Sequence, residues 1–374
     1  MKDQFPYLLA FQRIDRLTGR KIREILAAWH GDAAAAWQAG PNWPELGNHF
    51  SPKGLAEIAK VYHATDPVKL YEEYLASGCS VTMLGEEDYP SLLAKIYDPP
   101  LMLFYYGKLP EPKDICIAMI GSRNYTYYGK QVAEIFSRDL AAQGMVVVSG
   151  MARGIDSFCH KGALAAGGRT IAVLGSGLDV IYPRENAGLY REIIASGAVV
   201  SEFPLGTEAL PRHFPQRNRI ISGLSQGLLV VEAGEKSGTM LTVDYALEQG
   251  RDVFAVPGPI ISPTSKGTNR LLKQGAKIAL SPEDVWSEYF TEPLRLVKIQ
   301  KQQGAQPSPQ VSDTEKLLLK RLMTPMRPDD ILAQQDITLS AQELSALLTM
   351  LEIRGLVKQL PGNYYQTVVK TIYA

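Results

Sequence analysis

Cysteine is scarce in this sequence. Its three residues, Cys79, Cys116 and Cys159, are scattered and form no Cys-x-x-Cys pair. That argues against a disulfide framework or a zinc site and suits a reducing compartment. Net charge is also missing: 39 basic side chains face 39 acidic ones. Any affinity for nucleic acid must therefore come from a local basic patch and not from the whole-protein field. No apolar run approaches the roughly 18 residues a membrane span needs, and Met1 to Pro6 bears no likeness to a signal peptide. The expectation is a soluble, cytoplasmic protein. Two nucleotide signatures are absent as well, Gly-x-Gly-x-x-Gly and the Walker A run Gly-x4-Gly-Lys-Ser/Thr, which argues against NAD and the usual ATPase chemistry.

What is present is ordinary globular material. A chain of 374 residues, 45% apolar and 21% charged, suggests roughly two to three domains with a sizeable core. Residues 1–75 alternate helical patterns with breakers: Tyr7 to Phe11, Lys21 to Leu26, Gly54 to Val61 and Pro67 to Leu75 fit four short helices. Leu17-Thr18-Gly19-Arg20-Lys21 resembles half of a helix-hairpin-helix, lacking its second glycine; the simpler reading, which we favour, is a helical module packing on the next domain. Residues 76–114 read as a connector carrying two strands, Cys79 to Leu84 and Leu101 to Gly107.

From Ile115 the rhythm is regular. Strands are predicted at 115–120, 145–149, 170–174, 198–202, 228–232, 252–256 and 276–280, with helices at 127–143, 155–166, 185–196, 217–224, 238–249 and 267–274. Apolar, unalternated strands interleaved with amphipathic helices indicate a doubly wound, mainly parallel α/β sheet covered on both faces. Residues 291–312 read as a polar linker. The tail from Asp313 predicts helices at 313–323, 328–335 and 341–354, with Ser340 and Glu343 at capping-box spacing. A hairpin follows over 356–360 and 364–368. Three helices and a hairpin make a winged helix. Its candidate recognition helix carries Glu343, Glu352 and only Arg354, so duplex DNA and a protein partner both remain open.

The Gly/Ser-rich runs fall where strands stop, at the edge where such sheets bind ligands. Gly121-Ser122-Arg123 follows the first strand of this run; there the amides of a helix N-terminus, with Arg123, would make an anion site. Ser149 to Asp156 repeats the arrangement with Arg153, which would otherwise pair with Asp156 or Asp179 to brace loops. Phe214-Pro215-Gln216-Arg217-Asn218-Arg219, with Arg212 and His213 just before, combines a stacking face with arginines. That combination suits single-stranded nucleic acid; the competing reading makes Phe214 core and Arg219 a helix-surface residue. Lys236, Ser237 and Thr239 offer donors at a further helix start. Thr242 stands where related phosphoribohydrolases carry a catalytic glutamate, so carboxylate-dependent hydrolysis loses its proton-transfer group. Glu232, at a strand end, is best read as bracing an arginine or lysine. No catalytic group, metal-ligand set or cofactor is expected. A nucleotide hydrolase and a small-nucleotide sensor are the competing functional classes.

These runs resemble the DNA processing protein A (DprA/Smf) family: Gly-Ser-Arg at 121–123, Ser-Gly-x-Ala-x-Gly-Ile-Asp at 149–156, Phe-Pro-x-Arg-Asn-Arg-Ile-Ile-Ser-Gly-Leu-Ser at 214–225, and Asp-Val-Phe-Ala-Val-Pro-Gly at 252–258. The resemblance covers about 115–285. It implies an extended Rossmann-like domain flanked by a small helical N-terminal module and a C-terminal winged helix. It also implies a non-catalytic protein that binds single-stranded DNA during natural transformation, protects it, displaces single-strand-binding protein and loads the RecA recombinase, acting as a homodimer. Carried over by motif, Gly121, Ser122 and Arg123 would hold phosphates. Phe214, Arg217, Asn218 and Lys236 would line the strand's path, with Arg153 beside it.

Overall fold

The computed structural model describes residues 4–46, 49–290, 313–334, 339–353, 356–360 and 362–367. The chain divides into two compact units, Met1–Val297 and Lys298–Ala374. The expected linker at 291–312, Arg354 and the outer ends of the last predicted elements lie outside the described residues.

The first unit begins with five helices: α1 (Phe5–Arg13), α2 (Gly19–Ala28), α3 (Ala33–Gln38), α4 (Pro52–Ala64) and α5 (Pro67–Ala76). One more than predicted is present: α3 is too short for periodicity to register, but Asp32 caps it, its carboxylate accepting from the Ala35 amide at 3.0 Å. Thr18 caps α2 by accepting from the Lys21 amide. The Gly19 turn lies against the Pro99–Leu101 backbone, which agrees with a module packed on its neighbour. Arg23 fastens α2 there, donating to the Pro99 carbonyl at 3.0 Å and to Asp98 at 3.2 Å.

The remainder of this unit is a nine-stranded sheet. Its strands are β1 (Ser80–Met83), β2 (Met102–Gly107), β3 (Cys116–Ile120), β4 (Val146–Ser149), β5 (Thr170–Val173), β6 (Ala198–Ser201), β7 (Gly227–Val230), β8 (Asp252–Ala255) and β9 (Lys277–Ile278). They lie in the order β1-β2-β6-β5-β4-β3-β7-β8-β9. All pairs from β6 to β9 are parallel, while β1–β2 and β2–β6 are antiparallel. The stretch read as a connector thus extends the sheet by two strands. Between them come α6 (Tyr127–Ala142), α7 (Ile155–Ala165), α8 (Ala187–Ser196), α9 (His213–Gly223), α10 (Thr239–Glu248) and α11 (Lys266–Lys273), and α12 (Glu283–Trp286) follows β9. The predicted helix at 217–224 starts four residues earlier than its pattern suggested. Pro215 falls in the first turn of α9, where a missing N–H costs no helical bond.

Strand pleating sends neighbours to opposite faces. Ala118, Val148, Val173 and Val230 pack with α9, α10 and α11, while Ile117, Met119, Val147 and Leu229 pack with α6 and α7. β4, β5, β6 and β7 are buried along their whole length, which is why they read as unbroken apolar runs. The chain order reverses beside β3: β4, β5 and β6 run one way from it and β7 to β9 the other. The crevice outside β3 and β7 is therefore the switch point where ligands of such sheets bind.

The second unit holds α13 (Asp313–Arg321), α14 (Pro328–Leu332), α15 (Ala341–Ile353), β10 (Val357–Leu360) and β11 (Tyr364–Thr367) around Leu318, Leu322, Ile331, Leu344 and Leu348. It is a winged helix. The capping box is formed: the Ser340 amide donates to Glu343 at 2.8 Å, and the Glu343 amide returns a bond to Ser340 Oγ at 3.3 Å.

Candidate nucleic-acid interface

A cleft of about 530 Å³ opens at the switch point. Gly121, Ser122 and Arg123 enter it from the loop after β3, Phe214, Arg217 and Asn218 from the first two turns of α9, and Ser237 and Thr239 from the loop and helix after β7. Eight predicted residues, separated by more than a hundred positions, thus meet in one place. Arg153 lines a smaller adjoining hollow with Arg123, Tyr182 and Phe214. Lys236 is exposed, next to Ser237.

Phe214 is the centre of this arrangement. The Arg123 guanidinium lies 5.6 Å from its ring centroid and that of Arg217 lies 5.9 Å away. The ring of Tyr182, 43% exposed, stands at 5.5 Å. An exposed guanidinium and two aromatic rings converge on one cleft, and Asp156, the only carboxylate lining it among the described residues, is buried. Burial raises the Asp156 pKa against the pull of the Arg217 charge. Thr242, where a hydrolase would carry glutamate, is buried and lines the same cleft.

Several expected roles change once partners are visible. The anion site predicted at the start of α6 is filled from within the protein. Glu232 accepts from the Thr126 amide at 2.9 Å, the Thr126 hydroxyl at 2.6 Å and the Thr264 hydroxyl at 3.1 Å. The carboxylate thus braces a helix cap, and among the described residues no arginine or lysine pairs with it. Ser122 is used locally: its amide donates to the Glu232 carbonyl at 2.8 Å and its hydroxyl to the Asn124 carbonyl at 2.7 Å. Gly121 serves packing, since a Cβ there would fall 2.7 Å from Ile155 Cγ1. Ser237 Oγ accepts from the Thr239 amide at 3.1 Å, shaping the start of α10.

The arginines divide by burial. Arg217 is only 3% exposed and donates to the carbonyls of Gly150, at 2.8 Å, and Val173, closing the ends of β4 and β5. Burial brings its pKa down to about 10. Arg219 does not reach the cleft. It pairs with Glu202 at 2.7 Å and with Asp98 at 3.6 Å, on the side where the N-terminal helices dock. Arg153 pairs with Glu185, and not with Asp156 or Asp179 as the bracing alternative had it, and Asp179 instead accepts from the Gly206 amide at 2.8 Å. Arg212 pairs with Asp15 of the N-terminal module.

A family model for DNA recombination-mediator protein A matches residues 80–290, and one for the DprA winged helix domain matches residues 302–363. The chain belongs to the DprA family. DNA processing protein DprA of Bacillus subtilis (strain 168) is 43% identical over 298 residues, covering 78% of this chain and 99% of its own length. Protein Smf of Escherichia coli (strain K12) is 40% identical over 291 residues, covering 74% and 75%. Among solved structures, DprA from Streptococcus pneumoniae superposes with a TM-score of 0.66 at 35% identity, covering 76% of this chain and 98% of that one. DprA from Helicobacter pylori, described for its single-stranded DNA binding mode, gives 0.50 at 30% identity over 56% and 94%. The chain is thus a DprA-family DNA processing protein.

The sequence hides one contributor and the partner of another. Tyr182 sits in a Tyr-Pro run that carries no charge or glycine signal, and only the fold brings it to Phe214. Glu232 had the right position but no local sign of Thr126, 106 residues away.

Proposed function

We propose that this protein binds single-stranded DNA in the β3/β7 cleft without cutting it, protects it and loads RecA onto it, displacing single-strand-binding protein and acting as a homodimer. The observation that carries the reading is the exposed Arg123 guanidinium over Phe214, beside Tyr182. A base stacks on an aromatic face while a guanidinium holds the adjoining phosphate. The H. pylori relative, named for its single-stranded DNA binding, supports the same use of the fold. Thr242 leaves the hydrolase position without a proton-transfer group, which supports a non-catalytic role. Within the cleft, Arg123, Phe214 and Asn218 touch the strand, with Lys236, Ser237, Thr239 and Arg153 at its rim. Arg217 and Arg219 hold the surface in shape from behind.

The direct test is binding of labelled oligonucleotides over a salt series. Affinity should fall with a log–log slope of about −0.7 per neutralised phosphate, and Arg123→Glu should weaken binding to all sequences alike. Undiminished binding by that variant would remove the site. RecA-dependent strand exchange on DNA precoated with single-strand-binding protein, with and without this protein, tests the loading step.

A further inference from the structure

The loop after β3 has two sides, and the cleft accounts for one. On the other side, two residues past Arg123, Tyr125 is 45% exposed and rests edge-on against Phe158 of α7, with ring centroids 4.7 Å apart at 78°. The Phe158 ring gathers two ammonium groups, Lys130 of α6 at 5.3 Å and Lys161 of α7 at 5.8 Å. The loop is fixed to α7 by the Ile155 amide, which donates to the Ser122 carbonyl at 3.3 Å. Glu134, half-exposed and 3.9 Å from Lys130, is a weak counter-charge. An exposed ring flanked by two cations therefore continues directly from the Arg123–Phe214 pair, on the outer face of α6 and α7.

We infer that this face is a second track for the same strand: single-stranded DNA leaving the cleft passes over the 122–126 loop, stacks one base on Tyr125 and sets phosphates against Lys130 and Lys161. The inference rests on the proposed cleft function and extends it by naming where the strand runs next. Stacking needs an exposed ring held rigidly, and Phe158 supplies the buttress. The track also needs positive charge, and the two lysines held by Phe158 supply it. Continuity with the cleft selects DNA over a protein partner for this surface.

The test compares oligothymidylates of about four and about twenty nucleotides on the full chain, with Arg123→Glu as a cleft control. Tyr125→Ala should weaken the long oligonucleotide roughly 5- to 150-fold and leave the short one unchanged; Tyr125→Trp should restore it. The double variant Lys130→Gln/Lys161→Gln should reduce the salt slope for the long oligonucleotide by about 1.4. Wild-type affinity and slope in both variants, with Arg123→Glu still impaired, would overturn the second track while leaving the cleft standing. Failure of the wild type to bind either oligonucleotide would sink both.

Discussion

The Arg217 guanidinium occupies the space a side chain at Gly150 would need: a Cβ there would lie 2.6 Å from Nη2. Elsewhere the end of an arginine would swing aside at little cost. Here it is buried and committed to the Gly150 and Val173 carbonyls, so moving it breaks those bonds. Gly150→Ala should destabilise the protein by about 1–3 kcal/mol. Arg217→Met, which strands the two carbonyls, should cost about 2–4 kcal/mol. Exposed Arg123 makes the contrast, and Arg123→Gln should leave stability unchanged. Urea unfolding followed by far-UV circular dichroism measures all three. A stable Arg217→Met protein would show that this arginine faces the ligand and not the fold.

The edge of the sheet was legible from the chain, because fully buried strands give unbroken apolar runs and the glycine-rich loops fall where such runs stop. The division of labour at that edge was not. Arg217 and Arg219 look equivalent in a basic cluster, yet two residues on a helix turn about 200°. One points to the strand ends, the other to Glu202 and Asp98. Only the true start of α9, hidden by Pro215 in its first turn, fixes which is which. The α6 N-terminus misled in the same way. Its amides fit an anion, but that anion is the protein's own Glu232, supplied from a distant strand end.

The Arg219–Glu202 pair is a brace, with side-chain exposures of 12% and 17%. A half-removed pair leaves a charge largely out of water, whereas removing both can cost little. Arg219→Met alone should therefore destabilise by about 2–4 kcal/mol, and Arg219→Met/Glu202→Leu by clearly less than the sum of the single changes. A double-mutant cycle in urea measures the coupling. Strictly additive effects would mean that Arg219 is not held by Glu202.

His160 makes stability depend on pH. Thr170 Oγ1 donates to the Val147 carbonyl at 2.7 Å, so it accepts from His160 Nδ1–H at 2.7 Å. That leaves Nε2 buried and unprotonated, with no hydrogen-bond partner among the described residues. Burial, helped by the nearby Arg217 charge, drives the His160 pKa down from 6.5 to about 3. A folded-state pKa below the unfolded one means the unfolded chain binds the proton first. The contribution is intact above about pH 6.5 and is lost progressively toward pH 3, at up to about 1.4 kcal/mol per pH unit. Asp156, whose pKa is raised, acts in the opposite direction, but equally in wild type and variant. His160→Gln should lower stability at pH 7 by losing packing, yet show a flatter decline between pH 6 and pH 4. Urea unfolding free energies at pH 7, 6, 5 and 4 decide it: parallel curves for the two proteins would mean that His160 takes up its proton equally in the folded and unfolded states.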